Sequence, residues 1–344
     1  MNRKKNSAWP WLAGAGIGLT LGMRIFRRLW GREDFDGQVV LISGGSRGLG
    51  LLLAREFGRQ GARLALFARD LGELEAARSD LRARNFDVLA VPCDIRRQDQ
   101  VRQAVGQVLQ VYGRVDVLVN CAGVIQVGPA ENMTLEDYQD AMDTHFWGSL
   151  YTTLAVIEPM RQRGGGRIVN ITSIGGEVAV PHLLPYTASK FAQVGLSDGL
   201  RTELARDGIS VTTVIPGLMR TGSYVNAGFK GQHEKEYAWF SIAAANPLTA
   251  TSGERAARQI VEACRYRQAV LVITWQARLI MLLDALFPGL TAQIMKAANR
   301  WILPPPPVEG GEVLRRGYES RSDFSPSPLT FIGDRTVEET NQIR

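Results

Sequence analysis

The sequence predicts an α/β fold, a single doubly wound parallel sheet with helices on both faces and hydrophobic extensions at the N- and C-terminal ends. Three observations predict it. From Phe35 onward, short apolar runs alternate with amphipathic stretches, the pattern of parallel strands joined by crossover helices. The first run, Gln38-Val-Val-Leu-Ile-Ser43, leads into a glycine-rich turn, Gly44-Gly-Ser-Arg-Gly48-Leu-Gly50, and a helical stretch, Leu51 to Phe57, comes next. Much later, Tyr186-Thr-Ala-Ser-Lys190 follows Ser173 by thirteen residues.

Each element can be justified in turn. Gly44, Gly48 and Gly50 let the backbone approach a pyrophosphate at a helix N-terminus, where free N–H groups and the dipole favour anions. Ser46, Arg47 and Leu49 belong to the same candidate cradle. The second strand is Arg63 to Ala68, followed by Arg69-Asp70; Glu73 to Arg84 then reads as a charged amphipathic helix. Phe86 to Pro92 is the third strand, and Asp94 beyond it reads as a helix N-cap. Val115 to Asn120 is the fourth and runs into Cys121-Ala122-Gly123. Thr134-Leu-Glu-Asp137 has the form of a capping box opening one long helix through Arg161. Gly166 to Ser173 reads as a buried strand with Ser173 near its carboxyl end. The helix carrying Tyr186 and Lys190 continues to Arg206, Ile209 to Ile215 is the sixth strand, and Ala269 to Thr274 is the last.

The spacing of Tyr186 and Lys190 puts both on one helix face. A phenol titrates near pH ~10, too high for easy proton exchange at neutrality. An ammonium one turn away favours the phenolate and lowers that pKa. A serine hydroxyl such as that of Ser173 can hold a carbonyl or alcohol oxygen beside the phenol. With the glycine turn, Asn120-Cys-Ala-Gly123 and Pro216-Gly217, this set resembles the short-chain dehydrogenase/reductase family over roughly Phe35 to Thr274. The resemblance implies a Rossmann fold and an enzyme interconverting a carbonyl and a secondary alcohol. In such an enzyme Tyr186 is the acid/base, Ser173 orients the oxygen, and Lys190 tunes the phenol and holds the nicotinamide ribose. It also implies that Asp94-Ile95 borders the adenine and that Asn120 supports the sheet. Ala122-Gly123 lies along the cofactor, and Pro216-Gly217-Leu-Met219-Arg-Thr221 holds the carboxamide and a nearby phosphate. Homodimers or tetramers through the central helices are expected on the same ground.

Cofactor choice turns on the end of the second strand. An enzyme for the unphosphorylated cofactor places an acid there for the ribose 2′-hydroxyl. Ala68 stands in that place, Arg69 follows it, and Arg47 sits in the glycine turn, so NADP(H) is expected. Asp70 comes later, where it can cap the next helix. One departure from the family stands out: His145-Phe-Trp-Gly148 carries histidine where relatives have an asparagine that supports a water chain to the lysine. Two readings stay open: a proton relay through His145, or a buried histidine satisfied by the backbone.

Composition bounds the remainder. Forty basic and thirty-four acidic residues give a formal charge of +6, and no basic run interleaved with aromatics suggests a nucleic-acid partner. Cys93, Cys121 and Cys264 are scattered, so reduced thiols and a cytosol-facing catalytic domain are expected; the histidines and cysteines have no metal-site spacing. Arg3-Lys4-Lys5 precedes a charge-free stretch, Asn6 to Met23, closed by Arg24, Arg27 and Arg28. Residues 1–34 are expected to be an uncleaved anchor or a membrane-associated helix rather than a signal peptide, with Gly14, Gly18 and Gly22 forming a small-residue stripe. Residues 35–274 form the catalytic domain, and 275–303 an apolar helical extension that lies at the membrane interface, roofs the pocket or meets a second subunit. Residues 304–344 are expected to be disordered. Gly222 to Thr251, with Tyr224, Phe229, Tyr237, Trp239 and Phe240, reads either as an apolar lid or as a packed surface helix. Together these features predict a lipophilic carbonyl or alcohol as substrate. The alternatives are an NAD-linked alcohol dehydrogenase on the same fold or a low-turnover NADP(H)-binding scaffold or sensor at the membrane.

Overall fold

A computed structural model describes residues 35–322, 325–327 and 330–342; the expected N-terminal anchor lies outside the described residues. Seven strands form the central sheet: β1 (Val39–Ser43), β2 (Arg63–Ala68), β3 (Val88–Pro92), β4 (Val117–Asn120), β5 (Gly166–Ile171), β6 (Ile209–Ile215) and β7 (Val270–Val272). Their order is β7-β6-β5-β4-β1-β2-β3, and every pairing is parallel. β1 shows why the strands are apolar along their whole length. Val40 and Ile42 enter the core on one face of the sheet, while Val39 and Leu41 enter the core on the other.

Helices α1 (Gly48–Arg59), α2 (Leu71–Ala83), α3 (Gln98–Tyr112), α4 (Leu135–Met142), α5 (Gly148–Gln162), α6 (Leu184–Glu203), α7 (His233–Ala245) and α8 (Gly253–Arg265) accompany the strands. On the first face, Leu51, Leu53 and Phe57 of α1 pack with Leu74, Ala77 and Leu81 of α2 and Ile260, Val261 and Cys264 of α8. On the second, Val101, Val105 and Val108 of α3 meet Val156 and Met160 of α5. Caps fix the starts: Asp70 accepts the Glu73 N–H at 2.9 Å, as its position suggests, and the Thr134 N–H donates to Asp137 Oδ2 at 2.8 Å. Because β1 is flanked by β2 on one side and β4 on the other, the chain changes direction there. A crevice at the carboxyl ends of these strands is the ligand position this topology creates.

The helix expected from Thr134 to Arg161 is not uniform. A π-helical turn at Asp143–Trp147 joins α4 to α5 and sets His145 inward. Asp94 caps no helix: α3 begins at Gln98, and the Asp94 carboxylate takes the Arg96 backbone N–H at 3.1 Å and its guanidinium at 2.6 Å.

The C-terminal part departs furthest from expectation. α9 (Trp275–Leu286) and α10 (Pro288–Trp301) form a helical hairpin whose buried members are Ala277 and Thr291. Trp275, Leu282, Leu286, Phe287, Leu290 and Trp301 stand exposed. No helix among the described residues is long and apolar enough to cross a membrane. The expectation of a disordered tail from residue 304 does not hold for its described part. Arg315–Arg316 pairs antiparallel with Gly228–Phe229, and a further helix, α11 (Phe331–Glu339), buries Val337. The physical reason is a third apolar cluster that the tail completes: Tyr224, Phe229, Tyr237 and Phe240 pack there with Val337. These aromatics belong to residues 222–251, so that segment is a packed layer whose rings face inward. Cys93 and Cys264 are buried, all three cysteines are free, and burial pushes each thiol up to about 12.

Candidate active site

Parallel strands all deliver their carboxyl ends to one edge of the sheet, and the site is assembled from residues just beyond those ends. Ser173 comes two residues after β5, with an extended backbone, and its Oγ accepts the Gly175 N–H at 3.0 Å. α6 begins with Pro185 in its first turn, so Tyr186 and Lys190 fall on successive turns of one face. Lys190 is buried. Its Nζ donates to the Ile171 carbonyl at 2.9 Å and to Gln193 Oε1 at 2.8 Å, and lies 5.7 Å from the centre of the Tyr186 ring.

Burial pushes the Lys190 ammonium down to about 7, weakly opposed by Cys121. Burial also raises the Tyr186 phenol, and a hydrogen bond with Ser173 pulls the other way. The spacing of the two residues leads one to expect that Lys190 lowers the phenol. In this structure the opposing influence comes from Ser173, because Lys190 is itself desolvated and directed at two neutral oxygens.

His145 is fully buried, and both ring nitrogens are engaged by protein. Nε2 accepts the Val124 N–H at 3.2 Å, so Nδ1 carries the proton and donates it to Ser189 Oγ at 2.7 Å. Ser189 in turn donates to the Tyr186 carbonyl at 2.8 Å. The imidazole stands edge-on to the Tyr186 ring, centroids 5.4 Å apart. Burial, then the Lys190 charge, hold its pKa well below the usual imidazole range. His145 is thus a neutral imidazole packed behind Tyr186 with both ring nitrogens partnered.

Two further polar residues meet here that the sequence pattern does not single out. Gln193 Nε2 donates to Ser149 Oγ at 2.9 Å, so Lys190, Gln193 and Ser149 form a buried chain. The three-residue offset of Gln193 from Lys190 is the one local signal for it.

At the cradle, Gly44 and Gly48 have φ of +72° and +54°, and a Cβ on Gly50 would lie 1.9 Å from the Gly44 carbonyl. No other residue fits there, which suits a turn built for close backbone approach. Ser46 Oγ and Arg47 Nη1 both donate to the Glu73 carboxylate, at 3.3 and 2.8 Å. Arg69 is exposed at the end of β2. Asp94 is held below its usual range: burial raises it, but the Arg96 hydrogen bonds outweigh that. Ile95 packs beneath Gly148, and Ala122 lies against Gly44. Gly123 sits so close to His145 that a Cβ there would be 3.1 Å from Nε2. Asn120 donates to Asn170 Oδ1 at 2.8 Å and accepts from Thr152 at 2.6 Å, a tie between β4, β5 and α5. The Pro216 carbonyl accepts the Ile174 N–H at 2.9 Å, and Gly217 lies against Thr274. Met219 pairs with Thr251, and Thr221 is buried. No cluster of His, Cys, Asp or Glu that could hold a metal occurs among the described residues.

Comparison with known proteins fits this geometry. A profile described as short chain dehydrogenase matches residues 38–228. A zebrafish (Danio rerio) protein named dehydrogenase/reductase SDR family member 7B is 30% identical over 296 residues, 84% of this chain and 94% of that one. A protein of Streptomyces coelicolor named putative ketoacyl reductase is 38% identical over 188 residues, 54% of this chain and 72% of its own length. Among solved structures, L-sorbose reductase from Gluconobacter frateurii, complexed with NADPH and L-sorbose, superposes with a TM-score of 0.63 at 26% identity. That match covers 70% of this chain and 97% of the reductase. The chain belongs to the short-chain dehydrogenase/reductase family of oxidoreductases.

Proposed function

We propose that this protein is an NADP(H)-dependent oxidoreductase interconverting a carbonyl and a secondary alcohol on a lipophilic small molecule. One observation carries the reading. Ser173 hydrogen-bonds the Tyr186 phenol, and Lys190 is buried one turn further along the same helix with a pKa near neutrality. Bound nicotinamide would supply the hydride to the carbonyl carbon. Tyr186 gives its phenolic proton to the carbonyl oxygen, and Ser173 holds that oxygen in place. Lys190, buried one turn along the same helix, stabilises in its ammonium form the phenolate left behind and also holds the nicotinamide ribose. Gly44, Ser46, Arg47, Gly48, Leu49 and Gly50 hold the pyrophosphate end and Arg69 joins Arg47 at the 2′-phosphate. Asp94 and Ile95 border the adenine, and Asn120, Ala122 and Gly123 line its path. Pro216, Gly217, Met219 and Thr221 hold the carboxamide end.

The exposed apolar hairpin α9–α10 supports a lipophilic substrate and association with a membrane surface, on its cytoplasmic side given three free thiols. Exposed Trp147, Leu154 and Phe191 on and beside α5 and α6 support a homo-oligomer through these helices. A second reading, NAD preference, is favoured by the Glu73 carboxylate, which already occupies Arg47.

The test titrates the protein and a Tyr186→Phe variant with NADPH and NADH, then offers lipophilic ketones and aldehydes. Tighter NADPH binding by both, with turnover confined to the parent, is expected. Tighter NADH binding would sink the 2′-phosphate reading, and equal turnover by the variant would remove Tyr186 as the acid.

A further inference from the structure

We propose that the groove between the glycine turn and residues 221–226 is a binding site for the chain's own C-terminal segment, which competes there with the dinucleotide. This rests on the cofactor reading of the glycine turn. The first N–H groups of a helix need acceptors and attract anions. At α1, Arg47 offers no side-chain cap, and the Gly48 N–H instead donates to the Thr340 carbonyl at 2.8 Å. A peptide oxygen thus takes a donor that the glycine turn presents to a phosphate oxygen.

The next two residues fasten the segment to both walls. On the glycine side, Asn341 Nδ2 donates to the Ser46 carbonyl at 2.9 Å and to the Glu73 carbonyl at 3.0 Å. Across the groove, Thr340 Oγ1 and Gln342 Nε2 each donate to the Thr221 carbonyl at 3.0 Å. Asn226 Nδ2 donates to the backbone and side-chain oxygens of Gln342, both at 2.8 Å. Thr340 is 0% and Gln342 4% exposed, so this is a packed contact and not a grazing one. Asn341 adopts φ +56°, a conformation asparagine tolerates better than most residues, and this directs its amide at the turn.

The preceding helix anchors the segment independently. Val337 lies against Gly222 in the third apolar cluster, and the Tyr224 hydroxyl donates to Asp334 Oδ1 at 2.7 Å. α11 therefore stays docked when residues 340–342 leave, which makes those three residues a strap hinged at the end of a fixed helix. The contacts that close the strap are polar, and those on Ser46, Gly48 and Thr221 lie on segments that the cofactor also needs. A dinucleotide that enters must break them first, so the strap lowers its apparent affinity.

The experiment titrates the full chain and its N341A/Q342A variant with NADPH and with NADH by nicotinamide fluorescence. Hydrogen exchange over residues 336–342 is followed in the unaltered chain with and without NADPH. The expected result is NADPH binding about tenfold tighter in the variant, the scale of a few lost hydrogen bonds, with faster exchange at residues 340–342 when NADPH is added. Equal affinity in the two proteins with unchanged exchange would overturn the strap and leave the cofactor reading standing. Weaker binding by the variant would overturn it too, by making the segment a cover that helps retain the dinucleotide. Failure of both proteins to bind either dinucleotide would remove the cofactor reading and the strap with it. The exchange arm uses no substitution, so a misfolded variant cannot rescue or sink the idea by itself.

Discussion

Lys190 and Gln193 are joined by a 2.8 Å hydrogen bond from Nζ to Oε1, inside the protein and one helical turn beyond Tyr186. The carboxamide is held in turn by Ser149, so the acceptor facing the lysine is fixed and neutral. Exchanging that neutral acceptor for a charged or an apolar one changes what the lysine meets. Gln193→Glu puts a carboxylate beside a buried ammonium and should move the basic limb of the pH–rate profile upward by about one unit or more. Gln193→Leu leaves Lys190 and Ser149 each short of a partner and should cost about 1–3 kcal/mol of stability. Rate profiles and denaturant unfolding of the two variants check this; identical profiles would mean that Gln193 does not bear on Lys190.

Lys190 also predicts a pH dependence of folding. Its folded pKa of about 7 lies below the unfolded value of 10.5, so between those two values the unfolded chain binds more protons. Stability should therefore rise with pH across that window, by at most about 1.4 kcal/mol per unit. Below the folded pKa this contribution is fully unfavourable. Lys190→Met should flatten the slope, and urea unfolding at intervals from about pH 7 to about pH 10 measures it. Tyr186 acts in the opposite sense, because its raised pKa makes stability fall as pH climbs above the ordinary phenol value.

Arg47 is held by Glu73 at 2.8 Å, with Ser46 on the other carboxylate oxygen. If Arg47 meets the 2′-phosphate, Glu73→Gln should release it and raise the preference for NADPH over NADH by about three- to tenfold. The ratio of dissociation constants for the two cofactors is the readout. An unchanged ratio would place the 2′-phosphate out of reach of Arg47.

Gly50→Ala would set a methyl group 1.9 Å from the Gly44 carbonyl oxygen and 3.1 Å from Gly45 Cα, all backbone of the turn itself. The turn must open, so loss of dinucleotide binding and at least about 2 kcal/mol of stability are expected. Gly106→Ala, where nothing lies within 4 Å of the added atom, serves as the control and should be neutral or slightly stabilising. Thermal unfolding and cofactor titration of the pair separate the two effects.

The parts of the fold and site legible in the sequence are those the chain writes locally. The glycine turn is one short run from Gly44 to Gly50, Tyr186 and Lys190 share a helix face, and β1 announces its double burial in an unbroken apolar run. The contacts that escape such a reading join residues far apart in the chain. Gln193 meets Ser149 across two helices, Glu73 reaches back to Arg47, and Asn341 reaches Ser46 from the other end of the molecule. Spacing rules carry no signal for such pairs, because both partners are ordinary polar residues until the fold brings them together. The tail misleads for a related reason, and residues 222–251 stay open between a lid and a packed helix for the same one. Nothing local decides whether Tyr224 and Phe240 are lid or packed layer while Val337, which shares their cluster, is read as part of a disordered tail.

The three raised thiols have a practical consequence. With each held at about 12, only about one molecule in ten thousand presents a thiolate at about pH 8, so a maleimide meets an almost inert surface. Cys264, on α8, is buried in the core on one side of the sheet and Cys93 in the core on the other, so each becomes reactive only when its own layer opens. Pulse alkylation read by peptide mass would therefore time the two halves of the molecule separately, using clocks already in the native chain.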